Sequence, residues 1–226
     1  MVENWVCIPY LNRHDMTAPL VESLIQQGSF EKILLFDNGS TDIETIAWQN
    51  SLSRHDAIVF DAAGWNLHQM WNRGIEHAEE QSGKSFNIAI LNNDIQIGPH
   101  FLDSLSKALR RREDIVVACP NWDGRESSED TYIKGIAYNK GLSGWAFMVK
   151  GEWNWRFPEE LQFYCGDRYM MWVVEQQRKK AVMTMDTSVQ HINGGSQTAG
   201  PSSKNAIWDE DKRVLAQIQA RYRRTK

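Results

Sequence analysis

FNIAILNNDIQIG, residues 86–98, is the stretch on which the fold turns. From Phe86 to Leu91 it is nearly all apolar, the composition of a central parallel strand covered on both faces rather than of an edge strand with one wet face. It breaks at Asn92, Asn93 and Asp94, then resumes with alternating apolar residues. Open α/β sheets bind ligands beyond the carboxyl ends of their strands. A carboxylate at the end of a buried strand is costly unless something pairs with it. Asp94 therefore asks for a partner; the plainer alternative is a capping or turn residue.

Working outward, the pattern repeats. NWVCIPYL (4–11) reads as a buried strand ending at the polar turn NRHD, followed by a helical stretch with Leu20, Leu24 and Ile25 at helical spacing up to Gly28. A second strand, 33–36, stops at DNGSTD, a composition typical of turns, and Thr41 and Asp42 suit the N-cap of a helix over 43–53. A third strand, 57–62, leads through GWN to a helix over 67–80 with Met70, Trp71, Ile75 and Ala78 on one face. Beyond the quoted stretch come a helix over 100–112 and the strand IVVACP, 115–120. This alternation of strand and helix predicts an open, mostly parallel sheet flanked by helices. The remainder is less regular: loop over 121–140, strand over 141–150, helix over 167–180, a last strand AVMTMD (181–186), the flexible HINGGSQTAGPSSKN, and an amphipathic helix over 206–224. No internal repeat or linker divides the chain, so one domain is expected over 1–226.

Composition bounds the alternatives. With 226 residues, 42% hydrophobic and 11% aromatic, the chain can bury a large core. No run approaches the ~20 consecutive apolar residues of a membrane helix, and MVENWVCIPY has no basic region of a signal peptide. A soluble, cytoplasmic protein is expected, with Cys7, Cys119 and Cys165 as buried free thiols. The net charge of −4 argues against a general pull on nucleic acid. Basic residues cluster at Arg110–Arg112 and over 221–226. Of the ten tryptophans, Trp65, Trp71, Trp145, Trp153, Trp155 and Trp172 suit either core or stacking platforms.

These segments, in this order, resemble family-2-type glycosyltransferases of the GT-A fold. VCIPYLN resembles their first strand, LFDNGSTD their "DDGSTD" turn, GWNLHQMWNRGIEHA their Asn-containing helix, and AILNNDIQI the "LNxD" form of their DXD motif. GLSGWAFMVK resembles the acceptor-side strand, YCGDRYMMWVVEQQRKKA stands where the "ED" helix lies, and HINGGS where a late His occurs. The resemblance covers about residues 4–195, and the order of the matches carries more than any one motif. It implies a GT-A-type, Rossmann-like domain with a nucleotide-sugar-binding half at 1–120, an acceptor and catalytic half at 121–205, and a C-terminal helix and basic tail at 206–226.

It also implies roles. A leaving diphosphate needs its charge neutralised by a hard divalent cation with oxygen ligands; Asp94 and His191 would hold Mn²⁺ or Mg²⁺, the imidazole favouring Mn²⁺. Pro9, Tyr10, Asn12, Asn66, Asn72, Asn92, Asn93 and Lys204 would line the nucleotide site. Asp37 would accept from N3–H of a pyrimidine, giving a UDP- or dTDP-sugar donor; its plain alternative is a turn residue. Asp167 would deprotonate the acceptor hydroxyl, with inversion at the sugar carbon, or else cap the helix that follows it. Gly144 and Trp145 would face the acceptor. The chain departs from the family at Asn92, often Asp, and at Gly166, usually Glu. GGSQTAGPSSK (194–204) has the glycines and small residues of a lid.

The acceptor is expected to be a glycan. Hydroxylated pyrimidines of DNA form a second class, approached through Arg110–Arg112 and the tail. Nucleotidyltransferases share the sheet but carry a Gly-rich loop after the first strand, and PYLNRHDMTAP has no glycine. A transferase-like binding module without turnover is the third possibility, kept open by Gly166 and Asn92. Sequence does not indicate an oligomeric state.

Overall fold

A computed structural model describes residues 2–53, 55–83, 85–122, 129–133, 142 and 144–192, the backbone of 201–225 and the side chains of 206–224. Six helices and nine strands are seen among them: β1 (Glu3–Tyr10), α1 (His14–Gln27), β2 (Lys32–Asp37), α2 (Ile43–Ser51), β3 (Ala57–Asp61), α3 (Leu67–Ser82), β4 (Phe86–Leu91), β5 (Ile95–Ile97), α4 (Phe101–Arg110), β6 (Ile115–Asn121), β7 (Thr131–Ile133), β8 (Ala146–Lys150), α5 (Gly166–Gln176), β9 (Lys180–His191) and α6 (Pro201–Thr225).

The strands form a sheet in the order β3-β2-β1-β4-β8-β6-β9-β5, with β7 also on β9. β4 is buried along its whole length and lies between β1, parallel, and β8, antiparallel, as its apolar run requires. β3, at the edge, alternates between buried or half-buried and exposed residues. β1, β2, β3 and β4 run parallel, as do β6 and β9; β5, β7 and β8 run against their neighbours. A mixed, mostly parallel α/β sheet results, as expected.

Two apolar layers cover its faces. One joins Leu34, Phe36, Ile88 and Ile90 to α3 and α5 through Met70, Trp71, Ile75, Met170 and Val174. The other joins Ile8, Leu35, Ala89 and Met148 to α1 and α4 through Leu20, Leu24, Phe101, Leu105 and Leu109. Trp71, Trp153, Trp155 and Trp172 are buried and Trp65 is exposed, so four of the six tryptophans named above are core. The three cysteines are free and buried. No helix among the described residues is long and apolar enough to cross a membrane.

Several boundaries differ from expectation. β5 was not foreseen, β7 falls inside the expected loop, and β9 runs on to His191 where a flexible segment was expected. Strands as short as β5 and β7 are fixed by their pairing to β9 rather than by local pattern. β8 occupies only the second half of 141–150. α6 begins at Pro201, so 201–204 is helix rather than lid; 194–200 lie outside the described residues.

Candidate active site

The loops after β1, β2, β3 and β4 meet at the carboxyl end of the sheet. Asn12 Oδ1 accepts from the backbone N–H of Thr41 and Asp42, both at 2.9 Å, which ties the turn after β1 to the turn after β2. Asp37 Oδ1 accepts from Ser40 N at 2.8 Å and Oδ2 from Gln49 Nε2 at 2.8 Å; Gln49 also donates to Tyr10 Oη. Asp37 is thus a turn-forming residue, and it remains half-buried at the strand tip. Pro9 and Tyr10 are buried. Burial, and then the Asp37 carboxylate, raise the Tyr10 phenol so that it stays protonated. Gln49 was not anticipated, since nothing in a helical IETIAWQNS marks it.

Asp94 follows β4 and is 3% exposed. Its Oδ2 lies 3.2 Å from His191 Nε2, while Oδ1 is buried without a hydrogen-bond partner among the described residues. The unexpected strand β5 makes this encounter: β5 pairs antiparallel with the end of β9, Ile95 opposite His191, and Ile192 N donates to Asp94 O at 2.8 Å. A buried carboxylate oxygen left unsatisfied is destabilising by roughly 1–3 kcal/mol or more, so this one points to a ligand. Carboxylate oxygen and imidazole nitrogen side by side suit a divalent cation. Among the described residues no third His, Cys, Asp or Glu joins them, which leaves the other positions to phosphate oxygens and water.

Trp145 and Gly144 connect this pair to Asp167. Trp145 stacks on His191, centroids 4.4 Å apart and rings 18° from parallel, and its carbonyl accepts from Asn92 N at 2.8 Å. The indole therefore fixes the imidazole plane. At Gly144 a side chain would begin 3.3 Å from Asp167 Oδ2. Consecutive residues thus touch Asp167 and the Asp94–His191 pair. Asp167 is half-buried in the first turn of α5. Desolvation raises its pKa, and the backbone N–H of Arg168 partly offsets this. The helix N-cap is Cys165 rather than Asp167.

Gly166 has a steric reason. A Cβ there would overlap the His68 Nε2 and lie 2.9 Å from Trp71 Cζ3, so the Glu usual in relatives has no room. His68, missed in the sequence, is fully buried; its Nδ1 is 2.7 Å from Leu161 O and its Nε2 has no hydrogen-bond partner among the described residues. Burial pushes its imidazole down to about 4. Because the unfolded chain binds a proton that the folded one resists, stability is intact above the ordinary histidine pKa of about 6.5. It falls as pH drops from there toward the folded value, by about 3 kcal/mol in all. His68→Asn keeps a donor for Leu161 O but does not titrate. Its melting temperature should therefore change less than that of the wild type between about pH 7 and about pH 4.5; parallel melting curves would count against His68 as the cause.

Other expected ligands are held elsewhere. Asn66 is the N-cap of α3 in a capping box with Gln69, and its Nδ2 donates to Glu159 O. Asn72, 4% exposed, has its amide taken up by the backbone N–H and C=O of Phe157. Both asparagines secure the loop over α3. Asn93 is buried and donates to Thr17 Oγ1; Asn92 is half-buried at the strand end. The Lys204 side chain lies outside the described residues. Arg13, at the N-cap of α1, is held above its usual pKa chiefly by Asp15 and in part by Asp94, which puts a cation within electrostatic reach of the site. The run Arg110–Arg112 is internally engaged: Arg110 donates to Ser106, Arg111 pairs with Asp130 and Asp186, and Arg112 with Asp114.

Comparison with known proteins agrees with this architecture. Residues 5–171 match the family model described as Glycosyl transferase family 2. No curated protein sequence matches. Among solved structures, GalNAc-T7 with UDP, GalNAc and Mn²⁺ is similar with a TM-score of 0.72 at 15% identity, over 96% of this chain and 48% of that one. S. aureus TarS 1-349 is similar with a TM-score of 0.60 at 14% identity, over 92% of this chain and 70% of that one. The same TarS fragment in complex with UDP gives a TM-score of 0.60 over 92% of this chain and 64% of that one. This chain spans about half the length of the GalNAc-T7 chain, and at such identity the likeness shows the fold.

Proposed function

This chain belongs to glycosyl transferase family 2, and on that footing we propose that it moves a sugar from a nucleoside diphosphate sugar to an acceptor hydroxyl by an inverting, metal-dependent route. The observation that carries this is the buried Asp94 with one unpartnered oxygen and His191 3.2 Å from the other. These two residues would hold Mn²⁺ or Mg²⁺, which when bound neutralises the diphosphate as it leaves. Similarity to solved structures that contain UDP, one of them with Mn²⁺, supports that reading.

Asp167 takes the proton from the acceptor hydroxyl as that oxygen bonds to the anomeric carbon and the bond to the diphosphate oxygen breaks on the opposite face. Its raised pKa improves its capacity to accept a proton, and its nearness to Gly144 sets the acceptor beside it. Trp145 orients His191 as a ligand, a role like that of hydrogen-bonded outer residues at metal centres. Asp37, at the tip of β2, meets the base and selects a pyrimidine. Residues 1–120 serve the donor, 121–205 the acceptor and catalysis, and 206–226, which hold most of the last helix, add the basic tail. The reducing cytoplasm suits the three free thiols.

We place the acceptor among glycans rather than DNA, because two of the three arginines that would meet a duplex, Arg111 and Arg112, are ion-paired within the protein. A thermal-shift screen with Mn²⁺ tests the donor: UDP or dTDP should stabilise the protein and GDP should not. Equal stabilisation by all three would reject the role of Asp37. The best donor is then offered to glycans and to hydroxymethylated DNA, and transfer to the DNA alone would reject the glycan assignment.

A further inference from the structure

Asp211 on α6 is fully buried and lies outside the residues matched by the family. Its oxygens accept three successive backbone N–H groups: Gln162 to Oδ1 at 2.9 Å, and Phe163 and Tyr164 to Oδ2 at 3.0 and 2.6 Å. Charge-assisted bonds of this kind are roughly twice as strong as neutral ones. The carbonyls of the same segment are held from the other side by the start of α3: Glu159 O by Asn66 Nδ2, Leu161 O by His68 Nδ1 and Gln162 O by Leu67 N. Leu161 and Cys165 then pack on Val214 and Leu215 of α6.

The segment ends at Cys165, whose φ of 64° is unusual for a residue other than glycine, and turns directly into Gly166 and Asp167. Such backbone persists only when its surroundings over-determine it. Here α6 holds three of the segment's amides and the start of α3 holds three of its carbonyls.

We propose that Asp211 is a positioning residue: by gripping the amides of 162–164 it fixes the turn at Cys165 and so the place of Asp167 against Gly144, a role that rests on Asp167 being the base. α6 is then part of the catalytic unit rather than an appendage to it.

The test uses the full chain with Mn²⁺ and the UDP- or dTDP-sugar identified by the donor screen, read as diphosphate release. A displacement of about 1 Å at a reacting group lowers rates about 10²-fold, so Asp211→Ala should lower kcat by about that factor while donor KM stays within about twofold. In an Asp167→Asn background the same substitution should add no further loss. Amide exchange at 162–164 and at Tyr169 should quicken in Asp211→Ala, with β1 and β4 still protected, which shows the fold intact. Asp211→Asn, which keeps one acceptor oxygen, should recover part of the rate. Unchanged exchange at 162–164 would overturn the grip, and an equal further loss in the Asp167→Asn background would overturn action through Asp167. Full activity of Asp167→Asn alone would overturn the base assignment, and the positioning role with it, whatever the exchange shows.

Discussion

Asp167→Asn is expected to lower kcat for transfer by about 10²- to 10⁴-fold, the usual contribution of a positioned general base. Donor KM should stay within about twofold, because the lost interaction is made only as the acceptor proton moves. The isosteric amide fits the same space beside Gly144 and can still accept from Arg168 N, so the loss is one of proton affinity and not of packing. The pH profile adds a second reading. The base works ionised, so the wild-type rate rises with pH through the pKa of Asp167, which desolvation places above the ordinary carboxylate value. That acidic limb should vanish in the Asn variant. A variant with wild-type kcat, or one that keeps the limb, would remove Asp167 from the mechanism.

Asp94→Asn should lower kcat/KM by about 10³-fold or more, since charge stabilisation by a bound cation amounts to several kcal/mol and each 1.4 kcal/mol is tenfold. Added Mn²⁺ should no longer strengthen UDP binding. Stability should move the other way or hardly at all. A buried carboxylate oxygen that has no partner among the described residues is costly, and the amide has the same shape, carries no charge and can still bond to His191. A large fall in melting temperature would assign Asp94 to the fold rather than to a ligand. Diphosphate release indifferent to both Asp94 and the metal would exclude the mechanism.

What the sequence revealed followed from patterns that are local. β4 was legible because six buried positions in a row leave an apolar signature, and the turn after it stood out because a carboxylate breaks that signature. α3 announced itself by a periodic apolar face. β5, β7 and the end of β9 were not legible. β5 and β7 have three residues each and exist only because β9 passes beside them. The most consequential contact, Asp94 to His191, depends on that hidden pairing; only the resemblance to relatives hinted at it. Asn66 and Asn72 show where a motif is legible but its structural bonds are not. Their motif was recognisable, but a capping bond and a clamp on Phe157 are written in the same residue type as a nucleotide contact, and sequence does not separate them. Gly166 looked like a defect in a catalytic pair until His68 was seen to fill the space. Asp211 looked like one more charge on an amphipathic helix, and only the packed loop reveals that it faces inward.

Soaking crystals in UDP and MnCl₂ and recording anomalous scattering from manganese tests the central claim most directly. The expected map has one strong peak bonded to the free Asp94 oxygen and to His191 Nε2, with the diphosphate of UDP completing its coordination. A nucleotide bound elsewhere, or a manganese peak that avoids Asp94, would contradict it.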